Sequence, residues 1–522
     1  MAPATGEGFK GSAPSRREAR SAEGGRGGVH VEAPGHRPTW SARVVEAALR
    51  FGVEVAAPLR RIAEGLELPI RPGGLVLITG PSGTGKSLLL EALAKRYPSA
   101  RLVQGGLFPT DVAVIDAVSP GRAVEEAMGF LTACGLGEPR LWVRPLGALS
   151  AGEQSRARLA RALSQHLARR GEADGCGAQP APLLCDEFGS GLHTRVAQAI
   201  AFNLRKLASR ERLALVVATC RDDLEADLRP DLVVRLTGSA EGVRVEQRRP
   251  AEDSGASGER DSSAGRGPSF AAKLGVERGS LRDYATLGAM HYRQGEQLGF
   301  VDQVFALRDP EGETLGVAVY GRPGLELRAR NAATAGRFRR NPERLNRELR
   351  VLKRLIVHPD VRGCGLGARL VRESLPRVGV RFVECLAAMG LVNPVFEKAG
   401  MMRIGTCALP RRQEAVLREL LAMGADPLSA DFETRVGERP EARALVEQSV
   451  RDWYRSMTGG GRERVERQSA RTLARTFRQL VGSRPVYYLW AQDAEGWAVI
   501  ERAMAGEDGR REGGKAGKRE SE

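Results

Sequence analysis

At 522 residues the chain exceeds the roughly 250 to 300 at which a single hydrophobic core stops growing, so more than one domain is expected. Its 80 Lys and Arg against 64 Asp and Glu give a net charge of +16, which favours anionic partners. No apolar run approaches the roughly 18 to 20 residues of a membrane helix, and the seven cysteines (134, 176, 185, 220, 364, 385 and 407) form no C-x-x-C pair, so neither a membrane-spanning subunit nor a zinc or disulfide framework is expected.

Residues 1–40 are rich in Gly, Arg, Pro and Ser without apolar periodicity and read as a disordered basic tail. They lack the apolar core of a signal peptide and, unlike a transit peptide, contain acidic residues, so a cytoplasmic protein is expected. Next comes LVLITGPSGTGKSLLLEAL, residues 75–93, an apolar strand running into a Gly-rich turn and then a Leu-rich helix. The turn, Gly80, Pro81, Ser82, Gly83, Thr84, Gly85, Lys86 and Ser87, has the spacing of a phosphate cradle. Its backbone N–H groups can face phosphate oxygens, Lys86 adds a charge, and the Ser87 hydroxyl can ligate Mg²⁺.

Two later segments narrow the class. LSAGEQSRARLARAL spans residues 149–163, and LLCDEFGSGLH, residues 183–193, is an apolar strand ending in Asp186-Glu187. Over residues 41–250 these motifs resemble the ABC-type ATPase family. Ser150, Gly152 and Glu153 lie in the counterpart of its signature motif, and Gln104 matches its Q-loop glutamine. The resemblance implies ATP and Mg²⁺ as cofactors, with Ser87, Gln104 and Asp186 around the metal and Glu187 polarising the attacking water. It also implies a head-to-tail homodimer in which one copy's signature completes the other's phosphate site. Two positions depart from the family: Cys220 stands where the switch histidine is usual, and the loop after Glu187 ends in Leu192-His193 in place of Leu-Asp. Slow hydrolysis, or a binding switch that rarely turns over, is expected.

Residues 251–279 read as a flexible polar linker. Beyond them VDQVFALRDPEGETLGVAVYGRP predicts a hairpin, and LKRLIVHPDVRGCGLGARLVRESLP, residues 352–376, predicts a strand, a Gly-rich turn and an amphipathic helix. Glycines within Arg362, Gly363, Cys364, Gly365, Leu366 and Gly367 fit close approach of an anion to a helix N-terminus. Over about residues 280–405, within an expected domain of residues 280–425, this constellation resembles the GNAT acyltransferase superfamily, whose Arg-x-x-Gly-x-Gly turn holds the pyrophosphate of acetyl-CoA. The resemblance places Asn393 and Phe396 at its second CoA-facing motif, although Phe396 cannot reprotonate a thiolate as the usual tyrosine does. Glu384 and Glu348 are the candidate bases.

Between Glu326 and Arg381 fifteen Lys and Arg stand against five Asp and Glu, a local excess of 15 − 5 = +10. Arg337, Arg339 and Arg340, with Phe338 between them, fit phosphate contacts and stacking on an unpaired base, so nucleic acid is the expected partner. A solvated basic face is the bland alternative. Residues 426–500 read as a helical extension whose Trp453, Tyr454, Tyr487, Tyr488 and Trp490 belong to a core or interface, and residues 501–522 as a charged disordered tail.

As a whole the sequence resembles ABC-type ATPases fused to a GNAT domain, and the second half resembles phage GNAT-like enzymes that modify adenine in DNA. The expected fold is α/β: an ABC-type P-loop NTPase domain, a GNAT acyltransferase (α+β) domain and a helical C-terminal extension. Three functions compete: an ATP-gated N-acyltransferase acting on a nucleic-acid base, a protein or small-molecule N-acetyltransferase with an ATPase regulator, and a nucleic-acid-binding ABC clamp with an inactive second half.

Overall fold

The computed structural model describes residues 28–33, 40–52, 60–103, 108–173, 181–237, 242–248, 267–291, 298–458, 465–482 and 484–516. Gln104 and Cys176 lie outside the described residues.

The first half opens with β1 (Val29–Ala33), α1 (Ala42–Phe51) and β2 (Arg60–Leu66), then β3 (Leu75–Thr79), α2 (Lys86–Arg96) and β4 (Arg101–Leu102). Helices α3 (Val114–Val118), α4 (Val124–Ala133), α5 (Pro139–Trp142) and α6 (Ala151–Ala173) precede β5 (Leu183–Cys185). The half closes with α7 (Thr194–Arg210), β6 (Leu215–Thr219), α8 (Glu225–Leu228), β7 (Leu232–Leu236) and β8 (Val243–Gln247). β1 and β2 form an antiparallel pair. VHVEA alternates with Val29 and Val31 buried, so the expected tail of residues 1–40 is corrected at 29–33: a period-2 apolar face pairs there.

The other strands form a six-stranded sheet ordered β4-β5-β6-β3-β7-β8, parallel but for β8. β3 is buried along its whole length, as expected for an apolar run covered on both faces. One core layer holds Leu75, Leu77, Leu183 and Val217 against α4, α6 and α7. The other packs Ile78, Leu184 and Val216 against Leu89, Leu90 and Leu93 of α2.

The second half contains β9 (Gly275–Arg278), α9 (Leu281–Gly288), β10 (Val301–Arg308), β11 (Thr314–Gly321), α10 (Arg328–Ala333), α11 (Pro342–Glu348) and β12 (Leu349–Val357). Then come α12 (Leu366–Ser374), β13 (Phe382–Ala387), α13 (Val395–Lys398), β14 (Met402–Thr406), α14 (Arg411–Ala422), α15 (Phe432–Glu438), α16 (Pro440–Thr458) and β15 (Val486–Ala491), with unnumbered helices at Ala470–Gly482 and Ala494–Ala516. The sheet order is β14-β15-β13-β12-β11-β10-β9, and β12–β13 is its one parallel pair among the described residues.

Three expected boundaries are corrected by this sheet. β9 falls inside the expected linker, preceded by Ala271 and Leu274 in the core and by Ser269, whose N–H and hydroxyl donate to Asp227 (2.6 and 2.7 Å). β15 belongs to the sheet and not to a separate extension, because Tyr487 and Tyr488 alternate onto two buried faces. The helix Ala494–Ala516 runs through part of the expected tail, with Ile500 buried beside Tyr487 and Leu489. Between β14 and β15 the helices pack a core of their own, Leu420, Phe432, Val446, Val450, Leu473 and Phe477 among it.

The halves share a core through α7. Val196, Ile200, Leu204 and Leu207 face the first half. Ala199 and Phe202 join the cluster of Phe305, Leu366, Leu370 and Tyr488. A helix apolar on two faces is a buried helix.

Candidate functional site

The register Leu75↔Leu215↔Leu183 brings the C-terminal ends of β3, β6 and β5 to one edge of the first sheet. Three loops therefore meet there: Gly80–Gly85, Asp186–His193 and Cys220–Asp223. Gly80 has φ 148° and Gly85 φ 102°, and a Cβ at Gly80 would collide with the Leu236 carbonyl, so the cradle needs glycine at both. Thr84 Oγ1 closes the turn on Pro81 O (2.9 Å). Pro81, Ser82 and Gly83 are exposed along it, and Ser87 is exposed in the first turn of α2. Lys86 Nζ donates to Gly80 O and Pro81 O (2.7 Å each), carbonyls that phosphate oxygens can replace as partners.

Asp186 Oδ1 accepts from Glu187 N (2.9 Å), and Glu187 sits at φ 48°, uncommon for a residue with a side chain. Thr79 Oγ1 donates to Asp222 Oδ1 (2.8 Å), joining the end of β3 to the loop after β6. Cys220 is exposed. Ser150 caps α6 in a capping box: its N–H and hydroxyl donate to Glu153 Oε2 (2.8 and 2.9 Å), which fixes the first turn of that helix. Gly152 faces Leu192 of the loop after Glu187. The cradle, the carboxylate pair and a fixed helix N-terminus are the parts a nucleoside triphosphate requires. The donor set fits Mg²⁺, with one hydroxyl (Ser87) and one carboxylate (Asp186) and hard oxygen ligands only.

The AAA domain family matches residues 70–226. The chain is 31% identical to the lipoprotein-releasing system ATP-binding protein LolD of Novosphingobium aromaticivorans, over 34% of this chain and 87% of that protein. The chain belongs to the ABC-type ATPases. It is equally 31% identical to the aliphatic sulfonates import ATP-binding protein SsuB 2 of Nocardia farcinica, over 37% of this chain and 82% of that one. Among solved structures, a dimeric bacterial ABC transporter cassette matches with 21% identity and a TM-score of 0.28, covering 37% of this chain and 93% of its own. No helix of the described residues is long and apolar enough to cross a membrane, and they hold no cluster of metal-ligating side chains.

The residues of the other expected site fall in the second half of this ABC-type ATPase. β12 and β13 pair only from Leu349↔Phe382 to Leu352↔Cys385, after which their partners diverge: β12 stays with β11 and β13 stays with β15. At the mouth of the resulting wedge lies the N-terminus of α12, where Gly367 packs on Leu355 and Val357 of β12 and on Val395 of α13. Gly365, at φ 80°, has open space beside it.

The rest of the turn faces the ATPase. Arg362 donates from Nε to Val357 O (2.8 Å), from Nη1 to Gly137 O and from Nη2 to Met290 O (3.3 Å), so its guanidinium serves carbonyls, one of them in the first half, and the expected anion contact is corrected. Asn203 Nδ2 of α7 donates to Arg362 O (3.2 Å) and fills the space beside Gly363. The Cys364 thiol is buried against Ala199 of α7, and burial pushes it up to about 12. Leu366 is buried in the shared core.

Four further expectations are corrected. Glu384 is 2% exposed and bonded by Arg330 Nε (2.9 Å) and Nη2 (2.6 Å) and by the Tyr487 hydroxyl (2.9 Å), so it is a structural ion and no free base. Glu348 accepts from Arg337 (2.9 Å) and Arg344 (3.1 Å). Burial opposes its charge, but Arg337 and then Arg344 outweigh it and hold the carboxyl below its usual range, against a base. Arg337 is thereby engaged, and Phe338 is 2% exposed, edge-on to Phe382 at 5.8 Å, so neither meets a base in solution; Arg339 and Arg340 are exposed. Phe396 is buried beside Tyr488, whereas Asn393 is exposed.

Sequence reasoning missed three groups. Lys353 is the unmatched residue of a bulge in β12, and its Nζ donates to Leu298 O (2.7 Å). Burial, and then Arg354, lower its pKa. Asn203 of α7 looks from the sequence like any helix-surface amide. Arg221, directly after the expected switch position, was the one with a signal.

Proposed function

We propose that this ABC-type ATPase is an acetyl-CoA-dependent N-acyltransferase of the GNAT type, with its ATPase half controlling the acyl-CoA turn. The observation that carries the reading is the wedge between β12 and β13, with the N-terminus of α12 at its mouth and open space at Gly365. Backbone N–H groups at such a helix end suit a pyrophosphate. The bulge at Lys353 turns the backbone of β12 out of the ladder beside that wedge, which favours donation to a thioester oxygen. Control by the ATPase is supported by α7, which runs from the loop after Glu187 to Asn203 and Ala199 against Arg362 and Cys364.

In the first half Lys86 and the cradle bind the phosphates, Ser87 and Asp186 hold Mg²⁺, and Glu187 polarises the attacking water. Mg²⁺ supplies charge neutralisation on the phosphate oxygens. A head-to-tail dimer through Ser150 and the N-terminus of α6 completes the site. For the acceptor, the net charge of +16 and exposed Arg339 and Arg340 favour a nucleic-acid amine.

Calorimetry on the full chain tests the acyl-CoA part. Acetyl-CoA should bind, and Gly365→Trp should remove that binding while ATP binding persists. A wild-type chain without acetyl-CoA affinity refutes the reading. Mass spectrometry of nucleosides after incubation with acetyl-CoA tests the acceptor, and an unmodified nucleoside pool in the presence of acyl-CoA turnover assigns a different amine.

A further inference from the structure

We infer that Arg221 is a positioning residue for ATP hydrolysis, clamping the loop that carries Glu187. Every N–H of its guanidinium has an acceptor. Nε donates to Asp223 Oδ1 (3.0 Å), Nη1 to Gly189 O (3.3 Å) and Leu192 O (2.8 Å), and Nη2 to Thr194 Oγ1 (3.0 Å) and Asp223 Oδ2 (2.6 Å). A guanidinium has five such donors in a rigid fork, so this one is fully committed. Asp223 fixes the fork from one side, and the other edge grips both ends of the loop between Glu187 and α7.

The loop needs such a grip. Glu187 is held at φ 48°, which costs a non-glycine residue of order 1 kcal/mol and persists only where the surroundings enforce it. Immediately after it, Phe188 N donates to Ala218 O (2.9 Å) and Phe188 O accepts from Thr219 Oγ1 (2.8 Å), which pins the start of the loop to the end of β6. Arg221, whose own N–H donates to Thr219 Oγ1 (3.1 Å), pins the loop further along, through Gly189 and Leu192. The end of β6 thus supports Glu187 through Arg221, while Cys220 beside it is exposed. Lysine cannot replace the arginine, because a single ammonium cannot span a carboxylate, two carbonyls and a hydroxyl.

The inference rests on Glu187 being the residue that polarises the water, so Glu187→Gln is measured in parallel. Single-turnover hydrolysis and ATP affinity are followed for the full chain carrying Arg221→Ala, Arg221→Lys, Asp223→Asn or Thr194→Val. For the two Arg221 variants the rate should fall about 10- to 100-fold, the penalty of a catalytic group displaced by about 1 Å, with ATP affinity within about twofold of wild type. Asp223→Asn and Thr194→Val should lose less, and methylguanidinium should restore part of the Arg221→Ala rate. A purely structural role would lower affinity and rate together and would show no rescue. Full hydrolysis by Arg221→Ala when Glu187→Gln is inactive overturns the inference alone, and full hydrolysis by Glu187→Gln removes the reading beneath it. If Arg221→Ala does not fold, unchanged rates in both Asp223→Asn and Thr194→Val overturn it.

Discussion

Removing Arg330 tests how the second sheet tolerates charge at its centre. Arg330 and Glu384 are 1% and 3% exposed at their side chains, and Arg330→Met leaves the carboxylate with the Tyr487 hydroxyl as its one remaining partner among those bonds. Breaking one side of a buried pair costs about 3 to 5 kcal/mol, because the surviving charge stays desolvated. At about 1.4 kcal/mol per tenfold, amide hydrogens of β13 and β15 that exchange through opening of this sheet should exchange roughly 100- to 4000-fold faster. Arg330→Met with Glu384→Leu should recover most of the loss, less about 1 to 3 kcal/mol for the Tyr487 hydroxyl left without its acceptor, and adding Tyr487→Phe should recover that part too. Hydrogen exchange with mass spectrometry on peptides covering Phe382–Ala387 and Val486–Ala491 reads these differences locally. Exchange in Arg330→Met within about threefold of wild type would refute the reasoning, as would a double variant no better than the single one.

Lys86→Ala should abolish ATP binding, and Glu187→Gln should accumulate an ATP-bound dimer; a Glu187→Gln chain that light scattering finds monomeric at saturating ATP counts against the composite site. Cys220→His, which restores an imidazole at the exposed end of β6, should raise ATP turnover in a steady-state phosphate-release assay, and an unchanged rate shows that the lost histidine is not what limits hydrolysis. Burial works against the charge of Asp283, but the N–H and hydroxyl of Ser280 and the Arg308 guanidinium outweigh it and hold the carboxyl at about 2. A depressed carboxylate stabilises the fold fully above its unfolded value near 4 and loses that stabilisation as pH falls through 2. Asp283→Asn should therefore flatten the acid limb of a stability profile between about pH 4 and 2, and a limb of unchanged steepness refutes the assignment.

The nucleotide edge was legible because its chemistry is local. Gly80 to Ser87 and Asp186-Glu187 are contiguous runs whose flanking strands and helix carry the same message, and the parallel sheet aligns their ends. The second site was legible only where it was equally local, in the strand, turn and helix around Gly365. Arg362 looked like an anion ligand because Val357 is its one acceptor nearby in sequence; the others are carbonyls at Gly137, brought in by the docking of the two halves, and at Met290 after α9. Glu384 looked like a base because a strand position does not announce that an arginine 54 residues away in the chain will neutralise it, whereas the partners of Glu348, Arg344 and Arg337, are four and eleven residues away in the Arg-rich run. β9 and β15 were missed because short strands owe their existence to neighbours distant in the chain. Phe338 failed differently: its arginine neighbours hid an apolar anchor of the small cluster with Leu345 and Phe382.

The order of the second sheet has a consequence for how the protein is made. β15 sits between β13 and β14, yet it is synthesised after both, following about 80 residues that mostly build a separate helical core. At roughly 5 to 20 residues per second, β13 and β14 wait some 4 to 16 s during synthesis with their facing edges unpaired. In that interval the helices between them can pack alone, whereas the apolar strand edges remain open to any passing strand. Completion of this sheet therefore comes late, with β15 inserted between two strands made before it, and a chain stopped within the insert would hold two unsatisfied edges and a strong tendency to aggregate.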